Sequence, residues 1–274
     1  SSGFVSRFLP LDGIRNVTPP RHFELLPYIR TKAEFDRSQK DNPFHGGKRA
    51  TPAVGLDLKY GLGPNLTLDA TINPDFGQVE VDPAVVNLSD FETFYEEKRP
   101  FFIEGSSIFN FSYGGSRSNW GLNWGNPDFF YSRRIGRAPQ GSSPDHDHAD
   151  IPEATTIIGA GKLTGKIAGN WNIGGIVAAT AKEKGSYRLN GAELEQEIEP
   201  QTTYGVFRGQ KEIDEGRRGI GFIATMTSRN KISPLIKNEF NKSAQGFGID
   251  GWTFLDKEKM WVVTSYIGGT RIRA

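Results

Sequence analysis

The chain of 274 residues contains no cysteine, and this absence excludes thiolate catalysis and zinc sites built on cysteine. It also lacks an excess of charge of one sign, because 33 Lys and Arg oppose 32 Asp and Glu. A general nucleic-acid binder normally carries a basic patch, so we expect no nucleic-acid partner. No apolar run reaches the about 18 residues of a transmembrane helix. Membrane-spanning β-strands need no such run, so the sequence does not exclude a transmembrane β-barrel.

Apolar and polar residues alternate over short stretches that are separated by turn residues. The clearest stretch is 66–73, where Leu66, Leu68, Ala70 and Ile72 share one face and polar side chains share the other. Similar patterns predict strands at 22–35, 52–60, 66–73, 155–167, 171–182, 202–211, 219–228, 246–255 and 260–271. The sequence therefore predicts an all-β, antiparallel fold.

Short and long connections alternate between these strands. The hairpin turns are short, whereas residues 38–51, 74–154, 184–201 and 229–245 form long connections. Outer-membrane barrels combine short periplasmic turns with long external loops. Aromatic residues near the short turns fit an interfacial girdle, namely Tyr60, Trp171, Trp252, Phe254 and Trp261. These features predict an up-and-down transmembrane β-barrel, and a soluble β-sandwich binding module is the alternative.

The strand count and the start of the chain suggest a piece of a longer protein. Bacterial single-chain barrels have an even number of strands, so nine predicted strands indicate either a miscount or a larger barrel that continues beyond Ala274. The chain starts at Ser1 without an export signal, which we expect to lie upstream of a cut boundary. We divide the chain into an N-terminal lead-in (1–21) and an incomplete barrel domain (22–274) with a plug or cap insertion (74–154).

The insertion combines aromatic and charged residues. Ser89 and Glu92 form a capping box, which predicts a short helix that starts at Ser89 and ends before Pro100. Residues 129–137 have a local strand pattern and are expected to join the insertion or to form an extra rim strand. We expect the apolar residues to pack inside the barrel or over its mouth. The charged residues would then form a network with the lumen wall, namely Glu97, Lys98, Arg99, Glu104, Arg133 and Arg134.

Several blocks of the sequence resemble an uncharacterised outer-membrane β-barrel family, a domain of unknown function. These blocks are 73–83 (NPDFGQVEVDP), 87–92 (NLSDFE), 97–105 (EKRPFFIEG) and 131–137 (YSRRIGR), and 159–166 and 204–208 are also similar. The resemblance implies location in the outer membrane of a Gram-negative bacterium. It also implies an upstream family-nine-like carbohydrate-binding domain and further strands downstream. No activity is established for the family, so transport, secretion or surface anchoring are all expected roles, with glycans or envelope proteins as candidate partners.

Two candidate sites remain on the insertion. Glu97 and Glu104 are candidate carboxylates for a surface polysaccharide hydrolase, since glycoside hydrolysis uses two carboxyl groups about 5–10 Å apart. The alternative is that they form ion pairs with neighbours such as Lys98 and Arg99.

The second candidate is a metal site for Ca²⁺ or Zn²⁺ in the loop 145–150. Its potential ligands are Asp145, His146, Asp147 and His148, with Asp150 after them. Two histidines alone make an incomplete site, and a solvated loop is the alternative.

Overall fold

The structure, a computed structural model, describes residues 22–35, 42–44, 47–74, 92–112 and 128–274. The predicted lead-in 1–21 and the predicted helix start at Ser89 lie outside these ranges. In the described residues the chain is dominated by antiparallel strands, which confirms the all-β prediction.

Nine strands form the main sheet, in the order β1-β2-β3-β5-β6-β9-β10-β11-β12. Their bounds are β1 (Phe23–Phe35), β2 (Lys48–Gly61), β3 (Leu66–Ile72), β5 (Ile157–Ile167), β6 (Trp171–Thr180), β9 (Gln201–Ile213), β10 (Arg218–Asn230), β11 (Ser243–Phe254) and β12 (Val262–Arg273). These are the nine predicted strands. Within the described ranges β1 and β12 are the two edges and do not pair with each other, so the sheet is not a closed barrel.

The register of the sheet separates two faces with different chemistry. Asp69 lies opposite Lys162, and Gly221 lies opposite Asp250, on the side that we name the polar face. Leu68 lies opposite Leu163 on the other side, which we name the apolar face. The separation follows directly from alternation, because successive side chains of a strand point to opposite sides of the sheet.

The tight turn between β5 and β6 shows why the predicted hairpins form. Gly169 and Asn170 both have positive φ, at 74° and 61°, a conformation that Gly and Asn adopt most readily. The chain reverses there, so that Ile167 pairs with Trp171.

A second, three-stranded sheet was not predicted. It consists of β4 (His148–Asp150), β7 (Glu183–Leu189) and β8 (Ala192–Glu199), in the order β4-β7-β8. Residues 184–201 are therefore not a simple loop. The sequence did contain a signal for this hairpin, since Asn190 and Gly191 form its two-residue turn with φ values of 49° and 83°.

The insertion differs from its prediction in two places. Residues 92–99 have no regular secondary structure, and the helix α1 (Pro100–Ile103) begins at Pro100, where proline costs no hydrogen bond. Residues 129–137 form no strand and contain a 3₁₀ helix, Ser132–Arg134. The Tyr131 hydroxyl explains part of the difference. It accepts a hydrogen bond from the Tyr95 N–H and donates one to the Tyr95 carbonyl. These two backbone groups of an extended residue therefore have partners that, in a helix, other backbone groups would supply.

Among the described residues, no helix has the length and apolar character needed to cross a membrane.

Candidate functional site: the polar face and the inserted segment

The described part of the insertion packs on the polar face of the main sheet. We name residues 92–112 and 128–137 the inserted segment. Its buried apolar side chains join those of β5, β6, β9 and β10 in one cluster, which comprises Phe102, Phe109, Phe111, Ile135, Ile157, Ala160, Ile176, Ala178, Val206 and Ile223. Phe111 and Phe129 pack edge to face within the segment, with ring centroids 4.7 Å apart.

Glycines in the sheet allow these rings to approach the backbone directly. A Cβ atom at Gly248 would lie 2.7 Å from Cζ of Phe111, and one at Gly268 would lie 2.5 Å from Cζ of Phe129. Both distances are too short for van der Waals contact. The segment therefore fits β11 and β12 only because no side chain is present at these positions.

Lys162, in the middle of β5, links the inserted segment to the nine-stranded main sheet, which we name the wall. Its side chain is 1% exposed, and Nζ donates to the carbonyls of Phe101 at 2.6 Å and Glu104 at 2.8 Å. The same ammonium lies 3.3 Å from Oδ2 of Asp69 on β3. A buried charge needs such partners, so the segment completes the hydrogen bonding of the wall at this position.

Arg208 and Asp250 form a second link, across β9 and β11. Their side chains are fully buried and pair through two bonds of 2.6 and 2.7 Å. Oδ2 of Asp250 also accepts the backbone N–H of Ser112 at 2.8 Å. The carboxylate thereby holds the end of the first described stretch of the segment against the wall.

Glu104 is a member of the predicted charge network that contacts the main sheet directly. Its carboxylate pairs with Lys59 of β2. The hydrogen bond from Lys59, together with the charges of Lys59 and Lys162, holds the pKa of Glu104 below its usual value.

Glu97 and Arg99 instead stabilise the segment itself. They form a two-bond ion pair of 2.7 Å, and Nη1 and Nη2 of Arg99 donate to the carbonyls of Ile135 and Ser132. Burial alone would raise the pKa of Glu97, but the bonds from Arg99 and the Ser132 hydroxyl lower it below its usual value. This pair ties residues 97–99 to 132–135.

The other predicted network residues lie near this pair. Arg133 donates to the carbonyl of Glu96 at 2.8 Å, and Arg134 forms an ion pair with Glu92. The backbone N–H of Lys98 donates to the carboxylate of Glu97. These contacts lie within the segment, whereas the carboxylate of Glu104 pairs with Lys59 of the main sheet.

The electrostatics of the candidate carboxylates do not suit acid catalysis. A general acid needs a raised pKa, whereas the pKa values of Glu97 and Glu104 are both lowered by their basic partners. Burial raises the pKa of Glu199, against the charge of Arg137. Its carboxylate accepts bonds from Arg137 and the Gln140 N–H, so it joins the segment to β8.

The residues of the predicted metal site point to different partners. Nδ1 of His146 lies 2.8 Å from the Pro144 carbonyl, and Asp147 accepts the Asn190 N–H. Asp150 pairs with Arg49 at 2.8 Å, and His148 lies in β4. No group of three or more His, Cys, Asp or Glu side chains in the described ranges is arranged to hold a metal ion.

Sequence reasoning missed the wall residues that hold the segment. Asp69, Lys162, Arg208 and Asp250 each occupy a strand position whose neighbours along the chain point to the opposite, apolar face. A single charged residue between two side chains of the apolar face was therefore the signal from which these contacts could have been predicted. The aromatic girdle also needs correction, because Trp252 and Phe254 share the buried polar face with Asp250.

A model of the family described as Domain of unknown function (DUF5916) matches residues 19–234. No curated protein matches the chain. No solved structure matches it either.

Proposed function

Because the chain belongs to the family described as Domain of unknown function (DUF5916), a description that names no activity, we propose a function from the two faces of the main sheet. We propose that these strands form part of the wall of a β-barrel in the outer membrane of a Gram-negative bacterium. The inserted segment would close the lumen as a plug. In this proposal the barrel serves transport of a polar solute, with secretion or surface anchoring as the alternative uses of the same wall.

The observation that carries the proposal is the exposure of the apolar face. Ile29 is 81% exposed, Val177 62%, Phe247 60% and Ile267 72%, although all four lie within strands. A water-soluble protein rarely leaves so broad an apolar surface in contact with water. Lipid acyl chains would cover this surface without cost.

The charges of the apolar face support the same interpretation. By the register, Asp, Glu, Lys and Arg side chains on this face lie only near the ends of the described strands, at Lys48, Lys211, Arg218, Arg271 and Arg273. In the same strands, the band between them contains no Asp, Glu, Lys or Arg. An apolar band between polar rims is the pattern of a strand wall that crosses a bilayer.

The polar face supports a lumen. A soluble sandwich buries its apolar face and exposes its polar face. Here the buried face combines an apolar cluster with the charged side chains of Lys162, Arg208 and Asp250, which lie beneath the inserted segment. An interior that contains buried ion pairs and is filled by a segment of the same chain is expected for a plugged barrel, and further strands would close the sheet at β1 and β12.

The absence of native cysteine allows a direct test with single labels. Val177→Cys would carry a fluorophore on the apolar face, and Lys257→Cys would carry one in the exposed β11–β12 turn. In lipid vesicles we expect brominated acyl chains to quench only the first label and iodide in water to quench only the second. Quenching of the Val177 label by iodide and not by brominated lipid would favour the soluble sandwich.

The transport role is tested separately by conductance across planar bilayers. The parent protein is expected to conduct little, because the segment fills the lumen. Variants that release the segment, such as Lys162→Met, should conduct more than the parent. If such variants insert into the bilayer but never conduct, the wall serves anchoring rather than transport.

A further inference from the structure

The apolar face carries a groove near its centre. The groove crosses β6, β9, β10 and β11 and has a volume of about 550 Å³. The side chains that line it on the apolar face come from Val177, Phe207, Ala224, Met226, Gln245 and Phe247.

Two glycines form the floor of the groove. A Cβ atom at Gly175 would approach no closer than 3.8 Å to Phe207, and one at Gly205 no closer than 3.7 Å to Met226. Neither glycine is therefore required by crowding, in contrast to Gly248 on the polar face. Their lack of side chains leaves open space between Val177, Phe207 and Met226.

The groove ends beside two basic residues. Gln245, which lines the groove, is opposite Arg271 in the register, and Ser243 is opposite Arg273. Directly opposed residues share a face, so both arginines lie on the apolar face at the end of β12 near the 231–242 connection. Both residues are exposed. An apolar groove next to two cations is complementary to an acyl chain that is attached to an anionic head group.

We propose that this groove binds an acyl chain of lipid A, the phosphorylated glycolipid anchor of lipopolysaccharide, with a phosphate held by Arg271 and Arg273. This inference rests on the proposed function, and in an outer-membrane barrel the long connections face outward. The arginines then lie at the external leaflet, where lipid A is the phosphate-bearing lipid. The occupant is therefore a specific lipid held at one place on the wall rather than bulk bilayer.

The test compares lipids that differ only in phosphate. Purified full-length protein in detergent is titrated with lipid A and with dephosphorylated lipid A, and binding is measured by native mass spectrometry. Lipid A should bind more tightly, by about fivefold for each arginine that contacts phosphate. Arg271→Gln with Arg273→Gln should reduce lipid A binding to the level of the dephosphorylated lipid, and Lys257→Gln should not.

The groove itself is tested with Gly205→Leu, which fills it. This variant should weaken binding of both lipids, whereas Ala70→Leu, on the apolar face of β3, should leave binding unchanged. Equal binding of both lipids by the parent would overturn the phosphate contact. Equal binding of phosphatidylglycerol and lipid A would overturn the choice of occupant. If the Val177 label shows lipid contact but neither variant alters binding, the inference fails and the proposed function stands.

Discussion

Replacement of Lys162 by methionine tests how firmly the inserted segment is held. The substitution preserves much of the side-chain volume but removes the bonds to the carbonyls of Phe101 and Glu104 and the ion pair with Asp69. A hydrogen bond from a charged donor contributes about 1.5–3 kcal/mol. Removing one partner of a buried ion pair costs about 3–5 kcal/mol. Because these contributions overlap, we expect Lys162→Met to lower the free energy of unfolding by about 3–5 kcal/mol.

The assay combines urea unfolding in lipid vesicles with amide hydrogen exchange. The N–H groups of Phe102 and Glu104, which bond to carbonyls within or next to α1, should exchange faster in the variant, and conductance should rise. Lys166→Met is the matched control, since Lys166 lies on the same strand but is exposed. Adding Asp69→Asn to Lys162→Met should recover part of the loss by removing the unpaired carboxylate. A loss below about 1 kcal/mol with unchanged exchange at α1 would refute the role of Lys162 as a link.

Three further predictions concern other contacts. Gly248→Val should displace Phe111 and make the segment sensitive to protease, because a Cβ atom at this position would lie 2.7 Å from the ring. Gly161→Val is the control, since a Cβ atom there has no other atom within 4 Å, and it should leave the segment resistant. Equal resistance of both variants would contradict the packing. The pKa of Glu97 is lowered in the folded protein, so its stabilising contribution is complete above the unfolded-state pKa of about 4.3 and is lost as the pH falls through the lower folded-state value. Glu97→Gln should remove this loss of stability at acid pH. Identical pH profiles of unfolding for the parent and the variant would count against this role of Glu97. Val177→Arg should reduce the free energy of unfolding of the membrane-inserted protein by about 2–4 kcal/mol, whereas Lys257→Arg should have no effect. Urea unfolding in lipid vesicles measures both.

The strands of the main sheet were predictable because their signal is local. Alternation in residues 66–73 and the turn at Gly169 and Asn170 depend only on neighbouring residues. The two faces of the sheet follow from the same alternation. The hairpin at Asn190 and Gly191 had an equally local signal, because β8 also alternates, with Ala192, Leu194 and Ile198 on one face and four Glu side chains on the other.

The partners of the charged residues were not predictable in the same way. Arg208 and Asp250 are 42 residues apart, and they meet only because of the register of β9, β10 and β11. Glu97 and Arg99 had been expected either to join a network with the lumen wall or to form an ion pair as neighbours in the sequence. They bind each other because they are two residues apart and because the carbonyls of Ser132 and Ile135 complete the guanidinium's hydrogen bonds.

The close packing of Phe111 on Gly248 has a consequence for the order in which the protein assembles. Phe111 is made long before Gly248, and the Ser112 N–H bonds a carboxylate 138 residues later in the chain. The segment cannot reach its final packing until β11 has joined β10, so its docking is a late step that closes a very long loop. A chain arrested before β11 would leave the Phe111 ring without the glycine surface on which it packs, and such an intermediate would be a natural substrate for chaperones.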